Sequence, residues 1–123
     1  KRLSIIVEID VMDIFTDISS YLMAKSALHA LGYRICIDNL NRHNIMHIDR
    51  QHLGCALGKI RWDGNYTVDT EIKDAIKKWG ANRIILCRCD NIEAIKFGQE
   101  IGISLFQGRI LDKYLNPNAK VTN

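Results

Sequence analysis

The sequence predicts an α/β fold built on a parallel sheet of about five strands with covering helices. Apolar, β-branched runs alternate with helical patterns along nearly the whole chain. The strands read as near-continuous apolar segments, as strands buried on both faces do, rather than alternating apolar and polar. Polar residues gather at the C-terminal ends of those strands, the end at which α/β folds build sites.

The elements follow in order. "SIIVEID" (4–10) is the first strand and ends in acids. "DISSYLMAKSALHALG" (17–32) is a helix, with Tyr21, Ala24, Leu28 and Leu31 on one face and Gly32 as its stop. "YRICIDNL" (33–40) and "ALGKIRWD" (56–63) are the second and third strands, separated by a stretch rich in His and Asn. "VDTEIKDAIKKWG" (68–80) is a helix with Ile72, Ile76 and Trp79 in a stripe, and "RIILCRCD" (83–90) is the fourth strand. "DNIEAIKFGQEIG" (90–102) begins with an Asp90–Glu93 capping box and stops at Gly102, and "SLFQG" (104–108) is a fifth, short strand. The sole proline, Pro117, lies in a polar tail over 116–123. Five such strands fit an open doubly wound sheet or part of a barrel. No Gly-x-Gly-x-x-Gly or phosphate loop follows the first strand, which weighs against a nucleotide-binding open sheet.

Composition narrows the function classes. One domain of 123 residues can bury a core, and 47% hydrophobic with 25% charged residues is ordinary for a globular protein. The net charge of +3 comes without any block of like charges, so no nucleic-acid partner is expected. No apolar run reaches 18 residues and no signal peptide opens the chain, so neither membrane insertion nor export is expected. Cys36, Cys55, Cys87 and Cys89 have no framework spacing and read as reduced thiols in a cytoplasmic protein. The chain opens on Lys1 rather than Met, which reads as a piece of something longer.

The strand ends carry the chemistry. On the third strand Lys59 and Arg61 share a face, so two cations sit side by side near its end. Read in order, the strand ends resemble those of one family, the EAL domains, bacterial phosphodiesterases that cleave cyclic di-GMP on a (β/α) barrel. "IIVEID" resembles the family's Leu-Glu-Ile-Thr-Glu strand, and "LGYRICIDNL" its Leu-Gly-x-x-Ile-Ala-Leu-Asp-Asp-Phe-Gly. "GKIRWD" is similar to Leu-Lys-Ile-Asp, "IILCRCDN" stands where the family has Val-Val-Ala-Glu-Gly-Val-Glu-Thr, and "GISLFQGRILDKYL" resembles the Gln-Gly segment that follows. The spacing of twenty residues from Cys87 to Gln107 matches the family without a gap. The resemblance spans Leu3 to Leu115 and implies a partial, TIM-like barrel domain over 1–115, truncated on its N-terminal side.

The departures from the family imply an inactive member. The family holds two divalent cations with carboxylates that activate a water, and such cations need hard oxygen ligands. Position by position, Glu8 and Asp38 would survive as ligands and Asp90 stands for a Glu, whereas Asn39, Arg61 and Cys87 replace acids. Lys59 and Gln107 are retained, "LNRHN" has lost both glycines of the family loop, and the strands that precede Glu8 in the family are absent. Arg61 is expected in the vacated metal site, paired with Glu8 and Asp38. Such a pair at ~4 Å would contribute roughly 4 kcal/mol before desolvation.

Blander readings stand beside these. Glu8 and Asp38 serve equally as partners of Lys59 and Arg61, and Asp90 serves as a helix N-cap. Cys87 and Cys89 face one way and could hold a soft metal, but no second pair at ligand spacing accompanies them. His43 and His47 stand at helical spacing without the Glu of a His-Glu-x-x-His arrangement, and no signature supports a Cys–His nucleophile. Trp62 and Trp79 read as packing residues; Gln107 and Lys113 fall near the family's ligand pocket. Three functions follow: an inactive regulatory or protein-interaction domain without cofactor, a metal-independent cyclic di-GMP receptor using Lys59, Arg61 and Gln107, and, least supported, an active enzyme. Because five parallel strands leave open edges, a partner, the rest of a longer chain or a second copy in a homodimer is expected to cover them.

Overall fold

The computed structural model describes residues 5–110. Five strands, β1 (Ile6–Asp10), β2 (Arg34–Leu40), β3 (Leu57–Arg61), β4 (Ile84–Cys87) and β5 (Leu105–Phe106), form one sheet in the order β1-β2-β3-β4-β5. Every pairing is parallel. The sheet does not close into a barrel among the described residues: β1 and β5 are its edges. Lys113 and the polar tail expected over 116–123 lie outside these residues.

Sequential order decides where the helices go. Right-handed crossovers that always step in one direction place every covering element on the same face. One face is accordingly buried, with Ile35, Ile37, Leu40, Ile60, Ile84 and Leu86 at 0–3% exposure. The other face carries Glu8, Asp38, Lys59 and Cys87 in exposed or half-buried positions.

The helices are α1 (Val11–Thr16), α2 (Ile18–Ala30), α3 (Thr70–Trp79) and α4 (Ile92–Glu100). Each begins on a side-chain cap: Asp10 accepts from Met12 N–H, Asp17 from Ser20, Asp69 from Ile72 and Asn91 from Ala94. Helix α1 was not expected; Asp10, read as the end of a strand, is also its cap. The cap of α4 is Asn91 rather than Asp90, because the Asp90 carboxylate accepts the Arg109 N–H instead. The stripe expected on α2 is corrected too. Tyr21 is buried and Leu28 half-buried, but Ala24 and Leu31 face outward, since α2 lies at the β1 edge with no further element beyond it among the described residues. On α3 the expected stripe of Ile72, Ile76 and Trp79 is buried.

Between β2 and β3 no α-helix forms. A 3-10 turn (Ile45–His47) and tight turns carry the chain, burying Ile45, Ile48, Leu53 and Cys55 against the sheet. Asn41 organises the entry, its side-chain oxygen accepting from His43 and Asn44. Tyr21 closes the other end, its hydroxyl donating to Leu53 O at 2.6 Å.

Arg42 is the one buried charged residue among those described. Its guanidinium donates to Asn65 O and Thr67 O, lies 3.8 Å from Asp69 and stacks over Phe97. It thereby fixes the connection between β3 and α3, which folds back so that Trp62 sits on Phe97 and Tyr66. Gly58 is required by packing: a Cβ there would meet the Trp79 ring at 2.5 Å.

Candidate functional site

Side chains at the C-terminal ends of β2, β3, β4 and β5 surround an open cleft of about 790 Å³. Asp38, Lys59, Cys87 and Gln107 line it from the strands, joined by Arg88, Asp90 and Arg109 from the loops after β4 and β5. Six of these sequence-read positions thus meet at one end of the sheet, once Glu8 is added through its partner Lys59.

Asp38 faces the cleft by strand alternation, and β2 bulges directly after it. The register shifts between Ile37 and Leu40, so Asp38 and Asn39 together stand opposite Lys59. Asn39 takes the left-handed conformation at φ 63° that such a bulge needs. The Asn39 N–H donates to the Asp38 carboxylate at 2.9 Å, and its side-chain amide donates to Asp10. The Met12 N–H and that Asn39 amide hold the Asp10 carboxyl below its ordinary pKa. An amide at this position, in place of the acid expected from the resemblance, ties β2 to β1.

Lys59 pairs with Glu8 across β2. The Glu8 carboxylate holds the Lys59 ammonium above its ordinary pKa. Arg61 does not take the expected place. It is exposed at the end of β3, does not line the cleft, and among the described residues has neither an ion pair nor a side-chain hydrogen bond. Alternation gives Lys59 and Arg61 the same face, but only Lys59 sits deep enough in the sheet to reach Glu8.

The thiols are protonated residents of this region. Burial pushes Cys36 up to about 12 and Cys87 up to about 11. Cys87 donates to Gln107 Oε1 at 3.4 Å. With no imidazole against it, it is a poor nucleophile at neutral pH. Cys89 is buried, also pushed up to about 11 by burial, so the Cys87 and Cys89 side chains do not converge on one metal.

Arg88 and Arg109 were not singled out in the sequence. Arg88 takes a left-handed conformation at φ 61°, which turns the chain out of β4. Gly108 then packs against that turn so closely that a Cβ would collide with the Cys89 backbone. Ladder-like bonds hold the two loops together: Gln107 N–H to Leu86 O, Cys89 N–H to Gln107 O and Ile110 N–H to Cys89 O. Signals existed in the Cys-Arg-Cys break of alternation and in Gln-Gly, but neither reveals a cation facing a cleft.

The cleft therefore presents three cations, Lys59, Arg88 and Arg109, against the carboxylates Asp38 and Asp90. Among the described residues no group of three or more His, Cys, Asp or Glu could hold a metal ion, His43 and His47 included. Such a surface can hold a polar or anionic group by charge-assisted hydrogen bonds. No protein-family model matches the chain, and no curated protein matches it.

Proposed function

We propose that the chain is a catalytically inactive EAL-type domain that serves as a regulatory or protein-interaction module in bacterial signalling. The observation that carries this reading is the missing carboxylate set: where the family has acids, Asn39 bonds Asp10, Cys87 bonds Gln107, and Arg61 stands exposed away from the cleft. An amide, a guanidinium and a thiol at those positions leave Glu8 and Asp38 short of the hard-ligand set that a divalent cation needs to activate a water. The sequential parallel order β1 to β5 supports the barrel-derived part of the reading, since a sheet wound in one direction is what one side of such a barrel looks like when opened. The four free thiols suit a reducing cytoplasm. A helix long and apolar enough to cross a membrane is absent among the described residues.

A second reading, a metal-independent cyclic di-GMP receptor, draws on the three cations and Gln107 around the cleft. One experiment separates the readings. The protein is incubated with cyclic di-GMP and Mg²⁺ or Mn²⁺, with chromatography for the linear dinucleotide, and titrated with the nucleotide in excess chelator by calorimetry. No product and no heat support the interaction module; micromolar binding in chelator supports the receptor; metal-dependent product overturns both.

A further inference from the structure

Among the described residues, the large apolar side chains that stand exposed gather at the two ends of the sheet. Ile6, Met12, Phe15, Met23 and Leu31 crowd the β1 end, at 40–77% exposure. Leu105 and Ile92 mark the β5 end, with Tyr66 held beside α4 through Trp62 and Phe97. None lies on β2, β3, β4 or α3. At roughly 200 Å² for a whole large side chain, the exposed fractions at both ends amount to about 1,000 Å². A stable interface takes about 800 Å² from each partner.

The sheet is open in the same two places. β1 and β5 are its edges, and both run in the same direction. Ile5 O accepts from Arg34 N–H, so alternation turns the N–H and C=O of Ile6 and Glu8 outward from β1. Gln107 N–H donates to Leu86 O, so those of Phe106 turn outward from β5. The open face carries a continuous apolar row as well. Ile6, Cys36, Leu57 and Ile85 line a hollow of about 410 Å³ beside the Glu8–Lys59 pair, and Leu105 extends the row next to Ile85. Purely parallel sheets bury both faces, and here one is bare among the described residues.

We propose that two copies of this chain close end to end into one ten-stranded parallel barrel, with β1 of each copy beside β5 of the other. A single two-fold axis along the strands makes both junctions at once, keeps every strand parallel and leaves no edge. Whatever covers β1 must offer a parallel edge, whatever covers β5 must offer another, and the open face must be enclosed between them. The β5 and β1 edges of a second copy meet all three demands. The apolar row becomes the barrel interior, and Glu8 of one copy comes to the Gln107 side of the other's cleft. This assembly rests on the sheet topology and goes beyond the EAL-type reading.

The test is the mass of the chain in solution by light scattering, with twice the 14.1 kDa of one chain expected at micromolar concentration. Ile6→Pro removes an outward N–H but no internal ladder bond, and Leu105→Lys places an ammonium in the apolar row. Each variant damages both junctions of its own dimer and is expected to weaken it at least about tenfold. Mixed together, the two variants share one intact junction, so a heterodimer is expected to form more tightly than either variant's own dimer. Circular dichroism checks folding, and Ile6→Lys takes the place of Ile6→Pro if the proline unfolds the chain. A monomer, a ladder of higher oligomers, a dimer that only the β1 variants weaken, or no gain on mixing would overturn the proposal. Cyclic di-GMP hydrolysis would overturn the non-catalytic reading without changing the mass.

Discussion

Lys59 reaches across β2 to pair with Glu8, so an ion pair on the open face of the sheet spans three strands beside the Cys36 thiol. Half of the Glu8 side chain is solvent-exposed (48%), so the attraction is screened. Lys59→Met is therefore expected to change stability by less than ~1 kcal/mol in urea denaturation. Its interest is functional rather than energetic, because it frees Glu8.

Arg42 behaves differently. It is 7% exposed, and its guanidinium satisfies two backbone carbonyls of the Trp62–Asp69 connection. Arg42→Ala leaves those acceptors unpaired and opens space over Phe97. A loss of about 3 kcal/mol is expected, read as a fall in the urea midpoint at constant slope. Arg42→Lys recovers only part of it, since an ammonium cannot fork to both carbonyls.

Gly108→Ala forces a Cβ into the Cys89 backbone, a contact that no flexible side chain can relieve. A loss of at least about 2 kcal/mol is expected in the same assay, with the β4 and β5 exit loops separating. Gly58→Ala, against the Trp79 ring, is expected to cost a similar amount.

The thiols set an alkaline limit. Their ordinary pKa is 9.0, and burial raises Cys36 to about 12 and Cys87 and Cys89 to about 11. The folded state thus holds these protons more tightly than the unfolded chain. Stability is full below pH 9 and falls as pH rises through 9 towards 11–12, by up to roughly 1.4 kcal/mol per pH unit for each thiol. Alkylation of the native protein at pH 7.5 is expected to be slow, with Cys87, the most exposed of the four, reacting first by mass spectrometry.

The strands and the helix stops were legible because their signals are local: β-branched runs, and Gly32 and Gly80 at positive φ; the N-caps were not, since the one read from sequence, Asp90, gives way to Asn91. The β2–β3 connection was less legible. Its apolar residues Ile45, Ile48, Leu53 and Cys55 follow neither a helical nor a strand period, and their burial depends on packing under α2 and α3. Strand parity put Glu8, Asp38, Lys59 and Cys87 on one face. It could not say that Lys59 rather than Arg61 would meet Glu8, because reach depends on depth along the strand. Nor could it show Arg42, a loop arginine in sequence, as the buried anchor of another loop.

The most direct test of the account is a Mn²⁺ titration of the native protein followed by electron paramagnetic resonance, repeated on Lys59→Met. With Asn39, Arg61 and Cys87 in place of acids and no set of hard ligands converging among the described residues, no stoichiometric site tighter than millimolar is expected in the native protein. A one-to-one micromolar site, lost in Glu8→Gln or Asp38→Asn, would contradict it and return the cleft to metal-dependent chemistry.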